Sequence, residues 1–257
     1  MSPDFGHQVK YALQLELDVL TDVRAEFLER YPNGPDVGIE RYREWLRVEL
    51  TYTSNAIEGS TLSARETALV ISEDAIIANK SLREHLEARD HAIAFDYAAE
   101  QLKSKSQLTA DDVLAIQERI LYSTNHDGAG MLRRDRIRVA GSSTVFPNPM
   151  KVPDLFTGLV EDINHKPDDL HPVVHAALAH LHLAKLHPFI DGNGRTARLL
   201  MNLLLERAGY VSIPIYPEDR LSYLNALEQA DSDNGVEFCR LILEWEARSM
   251  RELMREP

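Results

Sequence analysis

Apolar residues recur at spacings of three and four along most of this chain, a pattern typical of helices that bury one face. The first such run covers residues 11–27 and stops at a cluster of turn-forming residues at 31–35. A second run extends over 39–59. After it, Ser63 and Ser81 each stand three residues before a glutamate, so we predict that both open helices through capping boxes.

The helical pattern continues through the rest of the chain with one interruption. Thr109 is predicted to cap a helix over 111–122, and later helices are expected at 152–164, 172–186, 196–208, 219–230 and 236–254. Between them, residues 130–146 alternate apolar and charged side chains among glycines and prolines, which favours a β-hairpin or flap. The sequence therefore predicts a mainly α fold with a small β element.

Length and composition narrow the class of protein. The chain has 257 residues, so we expect one domain with appendages. Its 41 acidic and 28 basic residues give a formal net charge of −13, which argues against a nucleic-acid partner. Cys239 is the only cysteine, which excludes an intramolecular disulfide and favours a reducing compartment. Because the first residues are polar and no run approaches ~20 apolar residues, we expect no export signal, no membrane span and a cytoplasmic location.

Reactive side chains are concentrated in the segment 187–198, between two predicted helices. Gly192, Asn193 and Gly194 tolerate positive φ, so their backbone N–H groups are predicted to form an anion-binding nest at a helix amino end. Two arginines follow on the first turn of the helix, where cations oppose the helix dipole. An anion such as phosphate is therefore expected to balance them.

The side chains beside this nest would suit phosphate transfer. His187 is available as a neutral base that takes a hydroxyl proton, and Asp191 is an oxygen ligand suited to Mg²⁺. Arg195 and Arg198 are three residues apart and so are expected on one helix face. The simpler interpretation is a tight turn between helices, with His187 in the core and both arginines as solvated charges.

At every specified position, residues 187–198 match the signature of the Fic-domain family, H-P-F-x-D/E-G-N-G-R-x-x-R, and the chain resembles that family. The resemblance implies the Fic fold, a helical core with a β-hairpin flap over the active site. It also implies transfer of AMP from ATP to a Ser, Thr or Tyr hydroxyl of a protein substrate, with release of pyrophosphate. The chain would divide into an N-terminal helical region, 1–105, and a catalytic core, 106–257, that carries the flap at about 130–146.

The resemblance also assigns roles to individual residues. His187 would be the general base, and Asp191 would bind Mg²⁺. The residues expected to contact the nucleotide are Val139, Ala140, Gly141 and Ser142 in the flap, Asp191, Gly192, Asn193, Gly194, Arg195, Thr196, Ala197 and Arg198 in the signature, and Tyr223, Leu224 and Asp231 near the base. Leu224 and Asp231 differ from the Tyr and Asn that relatives of the animal type tend to have, so base preference is less firmly implied than phosphate chemistry.

A second charge anomaly lies upstream, at Glu58. This acid falls at the end of a predicted helix, just before Gly59, where the helix dipole disfavours an anion. Taken alone, a surface glutamate before a helix stop is the simpler interpretation. The segment also resembles the inhibitory-helix motif of the family, [S/T]-x-x-x-E-[G/N], within a helix at about 45–59. By that resemblance Glu58 would pair with Arg198 and block the γ-phosphate of ATP, so that the enzyme is auto-inhibited.

Several alternatives remain open at this point. The same site could remove AMP from a modified protein or do both, and a silent relative could bind nucleotide without transfer. A phosphoryl-transferring toxin relative is less consistent with the G-N-G sequence that this chain retains. A zinc site is disfavoured for the histidines at 165, 171, 175, 180, 182 and 187, which lack an H-E-x-x-H pattern. The oligomeric state is also open, and a homodimer is compatible with the resemblance. The basic residues Arg133, Arg134, Arg136 and Arg138 are interpreted as a solvated strand edge rather than a nucleic-acid contact, and the resemblance implies that one arginine before the flap often has a structural role.

Overall fold

The computed structural model describes residues 11–35, 41–138, 144–230 and 235–255, and these residues are mainly helical, as the periodicity predicted. The helices in chain order are α1 (Gln14–Arg30), α2 (Tyr42–Ile57), α3 (Ala64–Glu73), α4 (Leu82–Tyr97), α5 (Ala110–Leu121), α6 (Val152–Asn164), α7 (Pro172–Leu186), α8 (Asn193–Arg207), α9 (Arg220–Gln229) and α10 (Val236–Arg255). One π-helical turn, Ala98–Leu102, prolongs α4.

Local capping explains where three of these helices begin. The hydroxyls of Ser63, Ser81 and Thr109 each accept a hydrogen bond from the backbone N–H three residues later, at the starts of α3, α4 and α5. In each case the acidic side chain at that later position accepts a bond from the N–H of the capping residue in return. The capping boxes predicted at Ser63 and Ser81 are therefore confirmed, as is the cap at Thr109.

The core is built around α7, which carries buried residues around its whole circumference. It packs against α6, α8 and α10, while α1 lies on α10 and α2 lies on α4. One continuous apolar cluster extends from Leu13 to Leu253, so the N-terminal helices share a core with the later ones. Among the described helices, none combines the length and apolar character that a bilayer crossing requires.

The predicted β-hairpin flap is not seen in the part of it that the structure describes. Residues 130–138 and 144–146 contain no strand, and 139–143 lie outside the described residues. The segment bonds to the loop after α7 rather than to a neighbouring strand: the N–H of Arg133 donates to the carbonyl of Pro188 at 2.8 Å. A side-chain pattern alone could not reveal that this backbone has a different partner.

The start of α8 also differs from the expectation of a helix over 196–208. The helix begins at Asn193, so the first residues after Gly192 already have helical geometry. Gly192 alone of the three predicted nest residues has a positive φ, of 79°. The amino end of α8 therefore begins within the signature, directly beside its reactive side chains.

Candidate active site

Two left-handed residues shape the loop between α7 and α8. His187 ends α7 with φ 47° and ψ 60°, and Gly192 precedes α8 with φ 79°. Between them, the Asn193 amide accepts from the N–H of Phe189 and donates to the carbonyl of Phe189, both at 2.9 Å. Because Asn193 is buried, these two bonds lock the loop in one conformation. The imidazole of His187 and the amino end of α8 are thereby fixed relative to each other.

The predicted nest takes the form of a helix amino end with one left-handed residue before it. The first N–H groups of α8 have no partner within the helix and can bind an anion. Gly194 has ordinary helical geometry, so a glycine is needed there not for an unusual φ but because other side chains approach its Cα closely. A Cβ built on Gly194 would lie 2.5 Å from Oε1 of Glu58 and 2.9 Å from Nη1 of Arg198.

His187 has the protonation state of a base. Its Nδ1 lies 3.2 Å from the carbonyl of Ala184, which can only accept a hydrogen bond, so Nδ1 carries the proton and Nε2 keeps its lone pair. Its ring contacts Phe146, with the centroids 4.5 Å apart. Burial lowers the pKa of His187, and the bond to Ala184 offsets only part of this effect. The imidazole is therefore neutral at pH 7.

Arg133 is a structural residue, of the kind that the resemblance implied before the flap without saying which arginine it is. Its guanidinium donates to three backbone carbonyls, those of His187 at 2.7 Å, Asp135 at 3.0 Å and Pro147 at 2.8 Å. It is buried, whereas a solvated strand edge was expected. Nothing in its sequence neighbourhood distinguishes it from Arg134, which is exposed. Arg133 ties both ends of the segment 133–147 to the loop between α7 and α8.

The first arginine of the signature is held by acids. The Nη2 atom of Arg195 lies 3.3 Å from Oδ1 of Asp191, and its Nη1 atom lies 3.4 Å from Oε1 of Glu87 on α4. Arg195 is buried, and its Nε has no hydrogen-bond partner among the described residues. Asp191 also accepts from the N–H of Gly192 at 2.6 Å and lies 3.4 Å from Arg83. Arg195 thus pairs with Asp191 and Glu87.

The second arginine has a richer set of contacts. Arg198 donates to the hydroxyl and the carbonyl of Ser54 on α2, both at 3.0 Å, and to Tyr223 at 3.3 Å. It also donates to Oε1 of Glu58 at 2.7 Å, the ion pair that the resemblance implied. The Tyr223 hydroxyl accepts a hydrogen bond from Arg198 and donates one to Nε2 of His180 at 2.9 Å. This chain of bonds fixes a buried charge.

Glu58 lies at the carboxyl end of α2, directly before Gly59 with φ 104°, as its sequence position predicted. Desolvation would raise the pKa of Glu58, but the charge and hydrogen bond of Arg198, with smaller contributions from Arg195 and Arg220, overcome it and lower the pKa. Its side chain keeps 43% of its exposure. The carboxylate is therefore ionised at pH 7 and lies over the amino end of α8.

One cavity of about 490 Å³ joins Glu58, His187 and Arg198, whereas Asp191 and Arg195 do not line it. It is lined by Ile57, Glu58, Phe146, His187, Asn193, Gly194, Arg198, Arg220, Tyr223, Leu224, Leu227 and Glu228, among others. Polar groups collect at the α8 end, while Leu224 and Leu227 of α9 form an apolar wall. This shape suits a ligand with an anionic part and a flat apolar part.

Some predicted nucleotide contacts fall outside this cavity. The side chains of Thr196 and Ala197 are buried, and the N–H of Thr196 donates to the carbonyl of Gly192. Positions 139–142 of the flap and position 231 lie outside the described residues.

Three of the other histidines in the sequence cluster, His171, His175 and His180, have separate partners. His175 donates from Nε2 to the carbonyl of Ile163 at 2.9 Å, and His171 bonds to the hydroxyl of Tyr210 at 3.1 Å. Burial lowers the pKa of His180 to about 3, with Arg198 adding to the effect, so its imidazole is neutral. These contacts give each of the three a structural role.

Comparisons with known proteins agree with this geometry. Residues 107–205 match the model of the Fic/DOC family. A protein adenylyltransferase Fic from Drosophila willistoni is 36% identical over 192 residues, which make up 74% of this chain but 38% of that protein. The chain thus spans less than two fifths of the length of such relatives.

Solved structures extend the likeness to most of the chain. Fic-1 from C. elegans has a TM-score of 0.81 and 27% identity, with 98% of this chain and 74% of that chain covered. A Fic domain containing signaling protein from Bacteroides thetaiotaomicron has a TM-score of 0.81 and 29% identity, with 92% and 97% covered. The sequence match and the fold together place residues 107–205 of this chain in the Fic/DOC family.

Proposed function

We propose that this chain transfers AMP from ATP to a hydroxyl group of a protein substrate, and that Glu58 restrains the transfer. One observation carries the proposal: His187, the amino end of α8 and Arg198 open onto one cavity, and the Glu58 carboxylate lies in it against the arginine. The names of the adenylyltransferase relatives support the type of reaction.

His187 acts as the general base in this proposal. The hydroxyl oxygen of the substrate attacks the α-phosphorus of ATP, the bond to the bridging oxygen breaks, and pyrophosphate leaves. Nε2 of His187 accepts the hydroxyl proton, because Nδ1 already donates to Ala184. The lowered pKa of His187 keeps Nε2 unprotonated at neutral pH.

The amino end of α8 and Arg198 bind the phosphates. The unpaired N–H groups of the first helical turn and the helix dipole favour an anion, and Arg198 adds a full positive charge. Because Arg198 is fixed by Ser54 and Tyr223, it need not reorganise as charge develops during transfer.

Asp191 has the character of a ligand for Mg²⁺. Within the described residues, no group of three or more His, Cys, Asp and Glu side chains could hold a metal, so the protein offers no complete cage. Mg²⁺ is commonly held by one or two carboxylates together with substrate phosphates, and Asp191 lies beside the amino end of α8 with 38% of its side chain exposed. When bound there, Mg²⁺ would neutralise charge on the phosphate oxygens.

Glu58 restrains the site by occupying it. Its Oε1 atom would lie only 2.5 Å from a Cβ built on Gly194, and the same atom accepts a hydrogen bond from Nη2 of Arg198. An anionic phosphate at the same place would have to displace this carboxylate. The restraint is therefore competitive and local, and removing the carboxylate leaves the rest of the cavity intact.

Labelled AMP incorporation tests both parts of the proposal. The wild-type protein and the Glu58→Gly variant are incubated with labelled ATP and Mg²⁺, alone and with cell lysate, and mass spectrometry locates the added AMP. We expect the variant to incorporate at least about tenfold more, since a charge-assisted hydrogen bond contributes about 1.5–3 kcal/mol. Equal incorporation by the two proteins would remove Glu58 from the mechanism.

The control places His187→Ala in the Glu58→Gly background. Loss of a general base typically reduces the rate by ~10²–10⁴-fold, while ATP binding should persist. ATP binding without transfer in the Glu58→Gly protein itself would instead identify a silent nucleotide-binding module.

A further inference from the structure

Four charged side chains form a closed ring beside the amino end of α8, which we call the charge ring. Its members are Arg83 and Glu87 of α4, Asp191 of the loop before α8, and Arg195 of α8. Glu87 lies 2.9 Å from Arg83 and 3.4 Å from Arg195. Asp191 lies 3.4 Å from Arg83 and 3.3 Å from Arg195. Each acid of the ring therefore contacts both arginines, while the proposed reaction gives a role to Asp191 alone.

Arg83 is the member of the charge ring that can leave it most easily. Its side chain is 65% exposed, against 4% for Arg195 and 13% for Glu87. The contact between Arg83 and Asp191 also joins residues 108 positions apart in the chain, so no shared helix holds the two together. Because an exposed arginine can turn into solvent at little cost, this is the weakest link of the ring.

The two carboxylate oxygens of Asp191 have different partners. Oδ1 accepts from the N–H of Gly192 at 2.6 Å and from Nη2 of Arg195 at 3.3 Å. Oδ2 accepts from Nη2 of Arg83 at 3.4 Å. The donors to Oδ1 are fixed, one by the backbone of the loop and the other by burial, whereas the donor to Oδ2 is an exposed side chain. Oδ2 is therefore the oxygen that becomes available to a metal ion when Arg83 moves aside.

We propose that Arg83 competes with Mg²⁺ for Oδ2 of Asp191 and thereby lowers the affinity of the site for the metal. This inference rests on the proposed function, in which Asp191 binds Mg²⁺ beside the phosphates of ATP, and it adds the residue that sets the metal affinity. A metal cation and a guanidinium at the same oxygen repel each other, so the presence of one weakens the other. Because Arg83 acts through Asp191, it is a positioning residue and not a catalytic one.

Glu87 makes the competition depend on the whole charge ring. Its Oε1 atom accepts from Nε of Arg83 and also faces Nη1 of Arg195. When Arg83 is absent, this carboxylate pairs with Arg195 alone and draws that guanidinium away from Asp191 as well. Both effects leave less positive charge on Asp191, so both raise its affinity for a cation.

A direct contact between Arg83 and the phosphates of the nucleotide is the alternative role. Arg83 does not line the cavity that contains His187 and Arg198, and its guanidinium lies between two carboxylates. The two roles predict opposite signs. Loss of a phosphate contact weakens nucleotide binding, whereas loss of a competitor strengthens the binding that depends on Mg²⁺.

The Mg²⁺ dependence of nucleotide binding tests this inference without any transfer. The ligand is the ATP analogue with a methylene group between the α- and β-phosphorus atoms, which cannot release pyrophosphate. Calorimetry measures its affinity for the Glu58→Gly protein, with and without Arg83→Gln, over a series of free Mg²⁺ concentrations. We expect Arg83→Gln to lower the midpoint Mg²⁺ concentration about threefold, since exposed ion pairs change equilibrium constants by up to about fivefold. A midpoint that stays the same or rises would overturn the inference.

Arg89→Gln and Arg83→Lys are the matched controls. Arg89 lies on the same helix and is also exposed, but it pairs with Asp74 instead of Asp191. Its replacement changes the net charge by the same amount and should move the midpoint less than about 1.5-fold. Arg83→Lys keeps the charge and should stay close to the parent protein. An equal shift in Arg89→Gln, or a full shift in Arg83→Lys, would mean that competition by the Arg83 charge is not the cause.

Two further measurements separate the remaining outcomes. In an Asp191→Asn background, Arg83→Gln should no longer change the affinity for the analogue, because the carboxylate for which Arg83 competes is gone. If Arg83→Gln weakens the analogue more than about threefold in the absence of Mg²⁺, Arg83 binds the phosphates and the inference fails. If the midpoint shifts as expected but no protein gains AMP, the inference stands and the proposed transfer function fails. AMP transfer with an unmoved midpoint would overturn this inference alone.

Discussion

The contact between Glu58 and Arg198 predicts how the nucleotide affinity should change when one charge is neutralised. In Glu58→Gln, the side chain keeps its size but loses its charge. We expect ATP to bind tighter to this variant than to the wild-type protein, because the polyphosphate no longer competes with a carboxylate for Arg198. Adenosine, which lacks phosphates, should bind equally to both.

The size of the effect follows from the bond that is weakened. The 2.7 Å hydrogen bond between Arg198 and Glu58 joins two charges, one of them buried. Hydrogen bonds to charged groups contribute about 1.5–3 kcal/mol, and because Arg198 stays charged in Glu58→Gln, the bond moves from the upper to the lower end of this range, which releases about 1–1.5 kcal/mol. Since 1.4 kcal/mol is a factor of ten in affinity, ATP should bind about tenfold tighter. We do not expect a larger gain, because the Glu58 side chain is 43% exposed and solvent weakens its interaction with Arg198.

Isothermal titration calorimetry at fixed salt and Mg²⁺ measures both ligands. Glu228→Gln is the matched control, because Glu228 is an exposed carboxylate that lines the same cavity. It should change the ATP affinity by less than about twofold. If Glu228→Gln tightens ATP as much as Glu58→Gln does, or if adenosine gains as much as ATP, direct competition for Arg198 is refuted.

Three further predictions concern the base, the inhibitory helix and a buried acid. Because burial lowers the pKa of His187 from its usual 6.5, the transfer rate of the Glu58→Gly protein should be flat around pH 7 and should begin to fall only at a lower pH than for an ordinary histidine, as a pH–rate profile would show. Arg220 donates to the carbonyl of Ile57 at 2.9 Å, at the end of α2, so Arg220→Ala should raise AMP incorporation about two- to fivefold in the wild-type background by loosening Glu58. Burial raises the pKa of Glu246 to about 8, so the folded state holds a proton that the unfolded state releases, and stability should fall from about pH 4.5 to pH 8. In Glu246→Gln this loss should shrink by up to about 1.4 kcal/mol per pH unit, as urea unfolding at several pH values would measure.

Each of these has a clear contradicting outcome. If the transfer rate already falls at pH 7.5 as the pH is lowered, His187 is not the titrating base. An increase from Arg220→Ala that persists at the same size in the Glu58→Gly background would show that Arg220 acts on the nucleotide rather than on α2. Parallel stability curves for wild type and Glu246→Gln would show that Glu246 is already ionised in the folded protein.

The sequence predicted the features that depend on short-range rules. Helix starts at Ser63, Ser81 and Thr109 follow from a cap and an acid three residues later, and the structure has all three. The position of Glu58 at a helix end followed from Gly59 after it. These signals lie within one helical turn, so a single sequence is enough to read them.

The features that the sequence did not predict depend on partners that are distant along the chain. Ser54 bonds to Arg198 across 144 positions, and Arg133 bonds to the carbonyl of His187 across 54. Backbone carbonyls leave no mark on the identity of their own residue, so a donor such as Arg133 cannot be distinguished from a solvated arginine. The flap prediction failed over the described residues for a related reason, since alternation of side chains does not specify which backbone will pair.

Placement of charge links the restraint to the reaction. Arg195 and Arg198 lie in the first two turns of α8, where the helix dipole disfavours cations, and Glu58 lies at the carboxyl end of α2, where it disfavours anions. Each unfavourable placement is relieved by contact with the opposite charge. The polyphosphate of ATP would relieve the arginines equally well, but it would leave Glu58 without its partner. In the proposed reaction, activation would therefore require the displacement of one carboxylate, and any partner that gave Glu58 another cation would release the proposed restraint without altering His187 or Arg198.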